Sequence, residues 1–351
     1  MKNNLFTYAT SELSQDAFIC WLMSYAMKDA RPDKALRRCA VAFIKEFIPE
    51  LVGESDDEIA ITNIERQHGK IDVLLTINDR YWVIIEDKTF TSDHDDQLQR
   101  YKDLLIREGI EPKSIYGIYY KTGFESDTSN AEAAGYAVFD RKKILSILDA
   151  NKDGADNAIF MDYLDFYTAF EADVQKYKTL QVGKWDWKMI QGFFDDLKND
   201  TDFSHGVLDG DMNYDYVANP SGGFYGMWIF PHNSLAFKPI EYYPYLQMEF
   251  ADGKINICFK LYIEELPSDF KPSQLKDVIA YNNTNEWAYN LEQFGYFKPS
   301  RLASGKTMTM GTIWKQPQSQ LFYSDIRCAI QKAVDRFDEV IAYCRERTGT
   351  S

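Results

Sequence analysis

The sequence has few cysteines and no pairing pattern among them. Five cysteines are spread over 351 residues, and no two of them form a Cys-x-x-Cys pair. This distribution gives no sign of a zinc ribbon or a disulfide framework, and it predicts a reduced, cytoplasmic protein. The sequence also has no apolar run of the ~20 residues that a membrane-spanning helix requires. We therefore expect no membrane association.

The chain has fewer basic residues than acidic residues. The chain has 39 lysine and arginine residues against 54 aspartate and glutamate residues, which gives a formal net charge of −15. Proteins that bind nucleic acid usually carry a basic surface that displaces counterions from the phosphates. The composition therefore argues against tight non-specific binding to nucleic acid. Any such binding is expected to be loose, metal-dependent and sensitive to salt.

Internal repeats and low-complexity segments are absent from the sequence. A hydrophobic content of 45% and an aromatic content of 15% indicate a folded globular chain, and its length suffices for two domains. The pattern of predicted helices and strands changes near residue 183. We predict one domain over residues 1–183 and an α+β accessory domain with an antiparallel sheet over residues 184–351. The second domain would select the substrate, or bind a protein partner or a second copy of the chain.

Two strand-like apolar runs in residues 72–88, DVLLTINDRYWVIIEDK, carry charged residues where they meet at one end. The Asn-Asp-Arg between the runs has the chemistry of a tight hairpin turn. Strands that are apolar on both faces belong inside a covered sheet, where an unpaired charge is costly. Such a hairpin brings Asp72 opposite Glu86, within about one residue. Because side chains alternate, Lys88 shares the face of Glu86 and Asp87 points the other way.

Two carboxylates and an ammonium group at adjacent strand ends indicate a metal site. Mg²⁺ (or Mn²⁺) favours one or two carboxylates together with waters and phosphate oxygens. A bound ion of this kind lowers the pKa of a coordinated water and neutralises charge on a phosphate. We expect Asp72 and Glu86 to bind the metal. Lys88 would orient the attacking water or stabilise the developing charge.

The arrangement Ile71-Asp72 … Glu86-x-Lys88 on paired strands resembles the PD-(D/E)xK nuclease superfamily, although Ile71 stands where the motif has proline. The resemblance implies a restriction-endonuclease-like α/β core, αβββαβ, with a mixed sheet flanked by helices. It implies metal-dependent hydrolysis of phosphodiester bonds, with DNA as the expected substrate, and a role in defence or DNA repair. It also implies the backbone carbonyl of Asp87 as a third metal ligand. The alternatives are a catalytically inactive nuclease-fold module for binding or assembly, and a nuclease acting on RNA.

Gln97 and Tyr101 lie four residues apart on the helix predicted after the hairpin, so they share a helical face. Gln-x-x-x-Tyr at this place is similar to a motif in nuclease domains of recombination helicases and phage-type exonucleases. That resemblance implies that the pair arranges the metal site and binds the substrate strand. The alternative is that Tyr101 belongs to the core and Gln97 is a solvated surface residue.

The first predicted helix opens with Ser11 as N-cap and acidic residues in its first turn, which the helix dipole favours. These acids can be ordinary surface charge. Similar nucleases, however, place a glutamate of their first helix at the metal. Carried to this chain, the matching catalytic and metal-binding residue is Glu12, with Asp16 as the alternative.

In the second half of the chain, the segment between Gln293 and Ser324 contains no acidic residue. It contains cations interleaved with aromatic residues, a composition that suits phosphate contacts and base stacking. The predicted substrate-binding cations are Lys298, Arg301, Lys306 and Lys315. The alternative is an ordinary strand pair with solvated lysines.

Hydrophobic periodicity predicts the remaining elements. In the first domain these are two helices in residues 11–50 broken near 31–33, strands at 58–66, 115–121 and 136–139, a loop at 123–134, and helices at 95–108, 141–151 and 157–180. The last of these helices carries a stripe of aromatic residues that is expected to pack against the second domain. The stripe consists of Phe160, Tyr163, Phe166, Tyr167, Phe170 and Tyr177. The second domain has predicted helices at 185–198, 272–281, 285–294 and 324–347, and a meander of strands at 224–231, 235–240, 245–250 and 254–263.

Overall fold

A computed structural model describes residues 3–89, 96–200, 212–220, 222–229, 235–237, 240–263, 291, 294–299 and 306–348. The chain divides into two compact units, Met1–Ala172 and Asp173–Ser351, so the division falls before the predicted boundary at residue 183. No helix among the described residues is long and apolar enough to cross a membrane.

The first unit contains a mixed five-stranded sheet in the order β1-β2-β3-β4-β5. The first three strands pair antiparallel, and the last three pair parallel. This arrangement confirms the predicted α/β core. The strands are β1 Ile61–His68, β2 Ile71–Ile77, β3 Tyr81–Lys88, β4 Ile115–Lys121 and β5 Tyr136–Asp140.

Six helices flank this sheet. The break predicted near residues 31–33 is present, because the Asp33 side chain caps the second helix by accepting from the backbone N–H groups of Ala35 and Leu36. The loop predicted at 123–134 is wrong in part, since a short helix lies within it. The helices are α1 Glu12–Ser24, α2 Lys34–Phe47, α3 Gln97–Arg107, α4 Ser129–Ala133, α5 Arg141–Ala150 and α6 Ala158–Val174.

The turn of the β2–β3 hairpin determines which residues meet at its open end. Asn78 and Asp79 both have positive φ, 53° and 52°, the conformation of a two-residue turn that matches strand twist. The register that follows pairs Val73 with Ile85. The next position outward is therefore Asp72 opposite Glu86, as the sequence predicts.

Both faces of the central strands are covered, which also agrees with the sequence. Val73 and Ile85 point into a core built with α1, α2, α5 and α6. Leu74 and Ile84 point to the opposite face, into a smaller core with residues of α3. The open end of β2 and β3 thus lies between two layers of helices, where water is largely excluded from the charged residues.

The expectation for the aromatic stripe of residues 160–177 is wrong for most of its members. Phe160, Tyr163 and Tyr167 are buried in the core of the first unit. Tyr177, the last residue of the stripe, lies beyond α6 and is buried in the core of the second unit. The ring of Tyr163 stacks on Phe18 of α1 with centroids 3.6 Å apart and meets Phe6 edge-on at 4.9 Å. The stripe therefore anchors α1 beside the sheet, because aromatic rings contribute large buried areas.

The second unit is an antiparallel meander with two described helices, in agreement with the predicted α+β class. Its strands follow the order β11-β10-β9-β7-β6, with β8 also pairing with β9. Strands β6 and β11 were not predicted, and the helices predicted at 272–281 and 285–294 lie outside the described residues. The elements are α7 Trp187–Lys198, β6 Met212–Val217, β7 Phe224–Ile229, β8 Leu235–Phe237, β9 Ile240–Ala251, β10 Lys254–Tyr262, β11 Thr307–Thr312 and α8 Tyr323–Thr348.

Candidate active site

Asp72 is fixed at the open end of the hairpin by two hydrogen bonds. Its Oδ2 accepts from the backbone N–H of Asp87 at 3.1 Å, which joins the first residues of β2 to the end of β3. Its Oδ1 accepts from Gln67 Nε2 at 3.2 Å. The carboxylate is half-buried, so it is held in place and still reaches solvent.

Glu86 and Lys88 lie on one face of β3. Lys88 Nζ is 2.7 Å from Glu86 Oε1, and the two side chains are only 11% and 1% exposed. The Asp87 carboxylate points to the opposite face, where Gln15 of α1 donates to it. Strand alternation therefore places one carboxylate and one ammonium group together beside Asp72, as predicted.

The surroundings of Glu86 strongly perturb the pKa of its carboxyl group. Burial, followed by the nearby Asp72 carboxylate, raises the pKa of Glu86 to about 8, although contact with Lys88 acts in the opposite direction. Burial lowers the pKa of Lys88, but Glu86 and Asp72 outweigh it and the pKa is raised. Lys88 is therefore a cation in contact with Glu86 and close to Asp72.

The donor set fits a hard divalent cation. Glu86 Oε2 is buried and has no hydrogen-bond partner among the described residues. A cation beside it would satisfy this oxygen and relieve its repulsion with Asp72. No group of three His, Cys, Asp or Glu residues in the described part of the chain could hold a metal by itself. Two carboxylates supplemented by a backbone carbonyl and waters suit Mg²⁺.

Gln97 and Tyr101 reach the site from the first turns of α3. Gln97 Nε2 is 2.7 Å from Glu86 Oε1 and also 2.7 Å from the Tyr101 hydroxyl. The Tyr101 hydroxyl in turn donates to the backbone carbonyl of Lys70 at 2.7 Å. Gln97 is therefore half-buried and bonded to Glu86, and it is not a freely solvated side chain. Tyr101 is both part of the core and a member of the polar chain.

Glu12 enters from the first residue of α1. Its Oε1 accepts from the backbone N–H of Thr89 at 3.0 Å, so it lies directly beyond the end of β3. Asp16, the alternative, is buried and lies 3.7 Å from Arg66. Burial and Asp72 raise the pKa of Asp16 to about 6, despite the opposing effect of Arg66. Both acids are therefore near the site: Glu12 contacts the residue that follows β3, and Asp16 interacts electrostatically with Asp72.

A buried polar network behind β3 was not predicted. Gln15 donates to the Asp87 carboxylate, while its own Oε1 accepts from Thr122 Oγ1 at 3.0 Å and from the Tyr167 hydroxyl at 2.6 Å. The signal for it was present in the sequence. Gln15 precedes Phe18 and Leu22 at the spacing of a buried helical face, where a glutamine needs polar partners.

The predicted cations of the second unit are exposed where they are described. Lys298 follows the bridge between Phe297 and Thr312, and Lys306 directly precedes β11. Lys315 Nζ lies 5.2 Å from the centre of the Phe297 ring. Arg301 lies outside the described residues. Their contact with nucleic acid stays a prediction.

Residues 3–165 match the sequence model of the PD-(D/E)XK nuclease superfamily. The matched segment contains Glu12, Asp72, Glu86, Lys88 and the Gln97–Tyr101 pair. The match does not resolve a branch within the superfamily, so the Gln-x-x-x-Tyr assignment stays a prediction. Comparison with curated proteins and with solved structures gave no match.

Proposed function

The segment 3–165 of this chain belongs to the PD-(D/E)XK nuclease superfamily, and from this premise we propose that the protein is a divalent-metal-dependent nuclease that hydrolyses phosphodiester bonds. The observation that supports the proposal most is the meeting of three groups at one end of the β2–β3 hairpin. Asp72, Glu86 and Lys88 come together there with a buried carboxylate oxygen lacking a partner among the described residues.

In this proposal Asp72 and Glu86 hold Mg²⁺ or Mn²⁺, with the backbone carbonyl of Asp87 as a third ligand. The bound ion would polarise the phosphate and lower the pKa of a coordinated water. Lys88, 2.7 Å from Glu86, would orient that water and stabilise negative charge developing on the phosphate. Glu12, at the N-terminus of α1, would complete the metal or water network.

We propose DNA as the substrate and RNA as the alternative. The net charge of −15 means that the chain as a whole repels a polyanion, so binding depends on the cation at the site and weakens with salt. Lys298, Arg301, Lys306 and Lys315 would contribute local phosphate contacts from the second unit. A role in defence or DNA repair is part of the proposal by analogy with the family only.

A single-turnover cleavage assay tests the proposal. End-labelled single- and double-stranded DNA, and RNA of the same sequence, are incubated with excess protein in Mg²⁺, in Mn²⁺ or in EDTA. We expect cleavage that requires the metal and that falls about 10²–10³-fold or more in Asp72→Asn and Lys88→Ala. Lys113→Ala is the matched control, since that lysine is 82% exposed and pairs only with Glu111.

The outcomes separate the alternatives. Cleavage of the RNA alone would identify an RNA-directed nuclease. Binding without cleavage in either metal would favour the inactive nuclease-fold module. Activity that survives both Asp72→Asn and Lys88→Ala would contradict the roles assigned to these residues.

A further inference from the structure

An aromatic cavity of about 80 Å³ lies in the first unit beside the candidate active site. This volume is several times the roughly 10–15 Å³ that one water molecule needs on the same measure. Five of its twelve lining residues are aromatic: Phe6, Tyr163, Phe166, Tyr167 and Phe170. Among the described residues that line it, none is charged, although the chain as a whole is strongly acidic.

The cavity and the catalytic residues share a border. Thr89 and Ser11 both line the cavity. Thr89 directly follows Lys88, and its backbone N–H donates to Glu12 at 3.0 Å. Ser11 directly precedes Glu12. A group bound in the cavity would therefore lie near Glu12 and the end of β3.

The chemistry of the wall selects a flat, neutral group. The polar atoms at its inner end are engaged with one another, since the Tyr167 hydroxyl and Thr122 Oγ1 both donate to Gln15 Oε1. A phosphate would find no cation among the described lining residues. The lining instead offers the surfaces of aromatic rings. Every nucleobase can stack on such a surface, because every base has a flat π-face.

We propose that this cavity receives one unstacked nucleobase of the strand being cleaved, adjacent to the reactive phosphate. The inference rests on the proposed nuclease function, because the phosphate is taken to lie at the metal site. A paired base inside a duplex cannot enter, so the substrate is a single strand or a fraying duplex end. Because the inner polar groups already have partners, the cavity selects an unpaired base and discriminates little between base types.

The test is abasic scanning of a single-stranded DNA oligonucleotide. A single abasic site is moved through the strand, and binding is followed by fluorescence anisotropy in Mn²⁺ before cleavage is read from the same samples. We expect one position at which loss of the base weakens binding by about 10-fold or more, the effect of one stacked base. The fully paired duplex should bind more weakly than the single strand.

Two variants change the volume of the cavity in opposite directions. Phe166→Ala removes part of the wall, and Ala9→Trp fills the space. Both should weaken binding of the intact strand by about 10-fold and abolish the abasic effect. Tyr8→Ala is the control, because that ring is 81% exposed and does not line the cavity. Circular dichroism verifies the fold of each variant. If only one of the two cavity variants folds, the result from that variant is sufficient for the test.

The readouts separate this inference from the nuclease proposal. Cleavage without any abasic effect would overturn the cavity assignment and leave the nuclease proposal standing. An abasic effect that Phe166→Ala or Ala9→Trp leaves unchanged would also overturn it. A position-specific abasic effect without cleavage would support the cavity and overturn the nuclease proposal. No binding of the intact strand by the wild type would overturn both.

Discussion

Gln97 of α3 and Glu86 of β3 are joined by a hydrogen bond of 2.7 Å between Nε2 and Oε1. The bond leaves Glu86 Oε2 as the oxygen that has no partner among the described residues. Gln97 therefore fixes which carboxylate oxygen of Glu86 is available to a cation. A residue that positions a metal ligand in this way is expected to affect metal affinity as well as rate.

The first prediction concerns this bond. Gln97→Ala should lower the apparent Mg²⁺ affinity and the cleavage rate by about 10–100-fold, the usual cost of losing the partner of a metal ligand. The measurement is the metal dependence of single-turnover cleavage. Gln99→Ala is the matched control, because Gln99 lies on the same helix, is exposed and bonds to Asp103. Equal effects of the two variants would contradict the positioning role.

The second prediction concerns Tyr101. Its hydroxyl donates to the carbonyl of Lys70, whose φ of 80° is unusual for a residue with a side chain. Tyr101→Phe should lower the free energy of unfolding by about 1–3 kcal/mol, since it loses two partly buried hydrogen bonds, one to Lys70 and one from Gln97. Urea denaturation measures this change. The cleavage rate should fall less than in Gln97→Ala, and a larger fall would assign Tyr101 a direct role.

The hairpin and its charged end could be predicted because their signals are local. Asn78-Asp79 defines the turn, and the turn defines the register that brings Asp72 and Glu86 together. The contact of Glu12 with Thr89 is different, because it joins residues distant in the chain. Only the resemblance to a family pointed to it, and no spacing rule could have done so.

Other features were missed for physical reasons. Strand β11, TMTMGT, alternates buried Met308 and Met310 with more exposed threonines, but methionine and glycine have little preference for strands. The partners of Gln15 come from β3, β4 and α6 and depend on tertiary packing. Most of the aromatic stripe of α6 was assigned to the wrong neighbour, because amphipathicity shows that a face is buried without showing what covers it.

The third prediction is a dependence of stability on pH that involves Glu86. Its pKa is raised from 4.5 to about 8 in the folded protein, so the folded state holds this proton more tightly than the unfolded state does. The stability it contributes is fully present below about pH 4.5 and is lost as the pH rises through about 8. In EDTA, the melting temperature should therefore fall over this range more steeply in the wild type than in Glu86→Gln.

Mg²⁺ should reverse this trend. A metal binds the deprotonated carboxylate, so it should raise the melting temperature more at about pH 8 than at about pH 5. Calorimetry of the wild type and Glu86→Gln with and without Mg²⁺ measures both effects. Identical pH slopes for the two proteins in EDTA would refute the perturbed titration of Glu86.

The fourth prediction concerns the buried Asp87 side chain. Burial raises the pKa of this carboxyl well above its usual value, and Oδ2 has no partner among the described residues. Asp87→Asn keeps an oxygen that can accept from Gln15, but the side chain cannot ionise. In EDTA, the free energy of unfolding should therefore fall less with rising pH in this variant than in the wild type, because a buried carboxyl with a raised pKa loses its contribution to stability as it deprotonates. Asp103→Asn, at an exposed position, should follow the pH dependence of the wild type and change stability by less than about 0.5 kcal/mol. Equal pH dependence in the wild type and Asp87→Asn would contradict the raised pKa of Asp87.

The central claim is that Asp72 and Glu86, at neighbouring strand ends, hold one divalent cation. Calorimetric titration of Mn²⁺ into the metal-free protein tests it most directly, with Asp72→Asn and Glu86→Gln as the variants and Asp103→Asn as the control. We expect a Mn²⁺ site in the wild type and in the control that is lost in both variants. A wild type that binds no Mn²⁺, or variants that bind it as the wild type does, would show that these two carboxylates do not form a metal site.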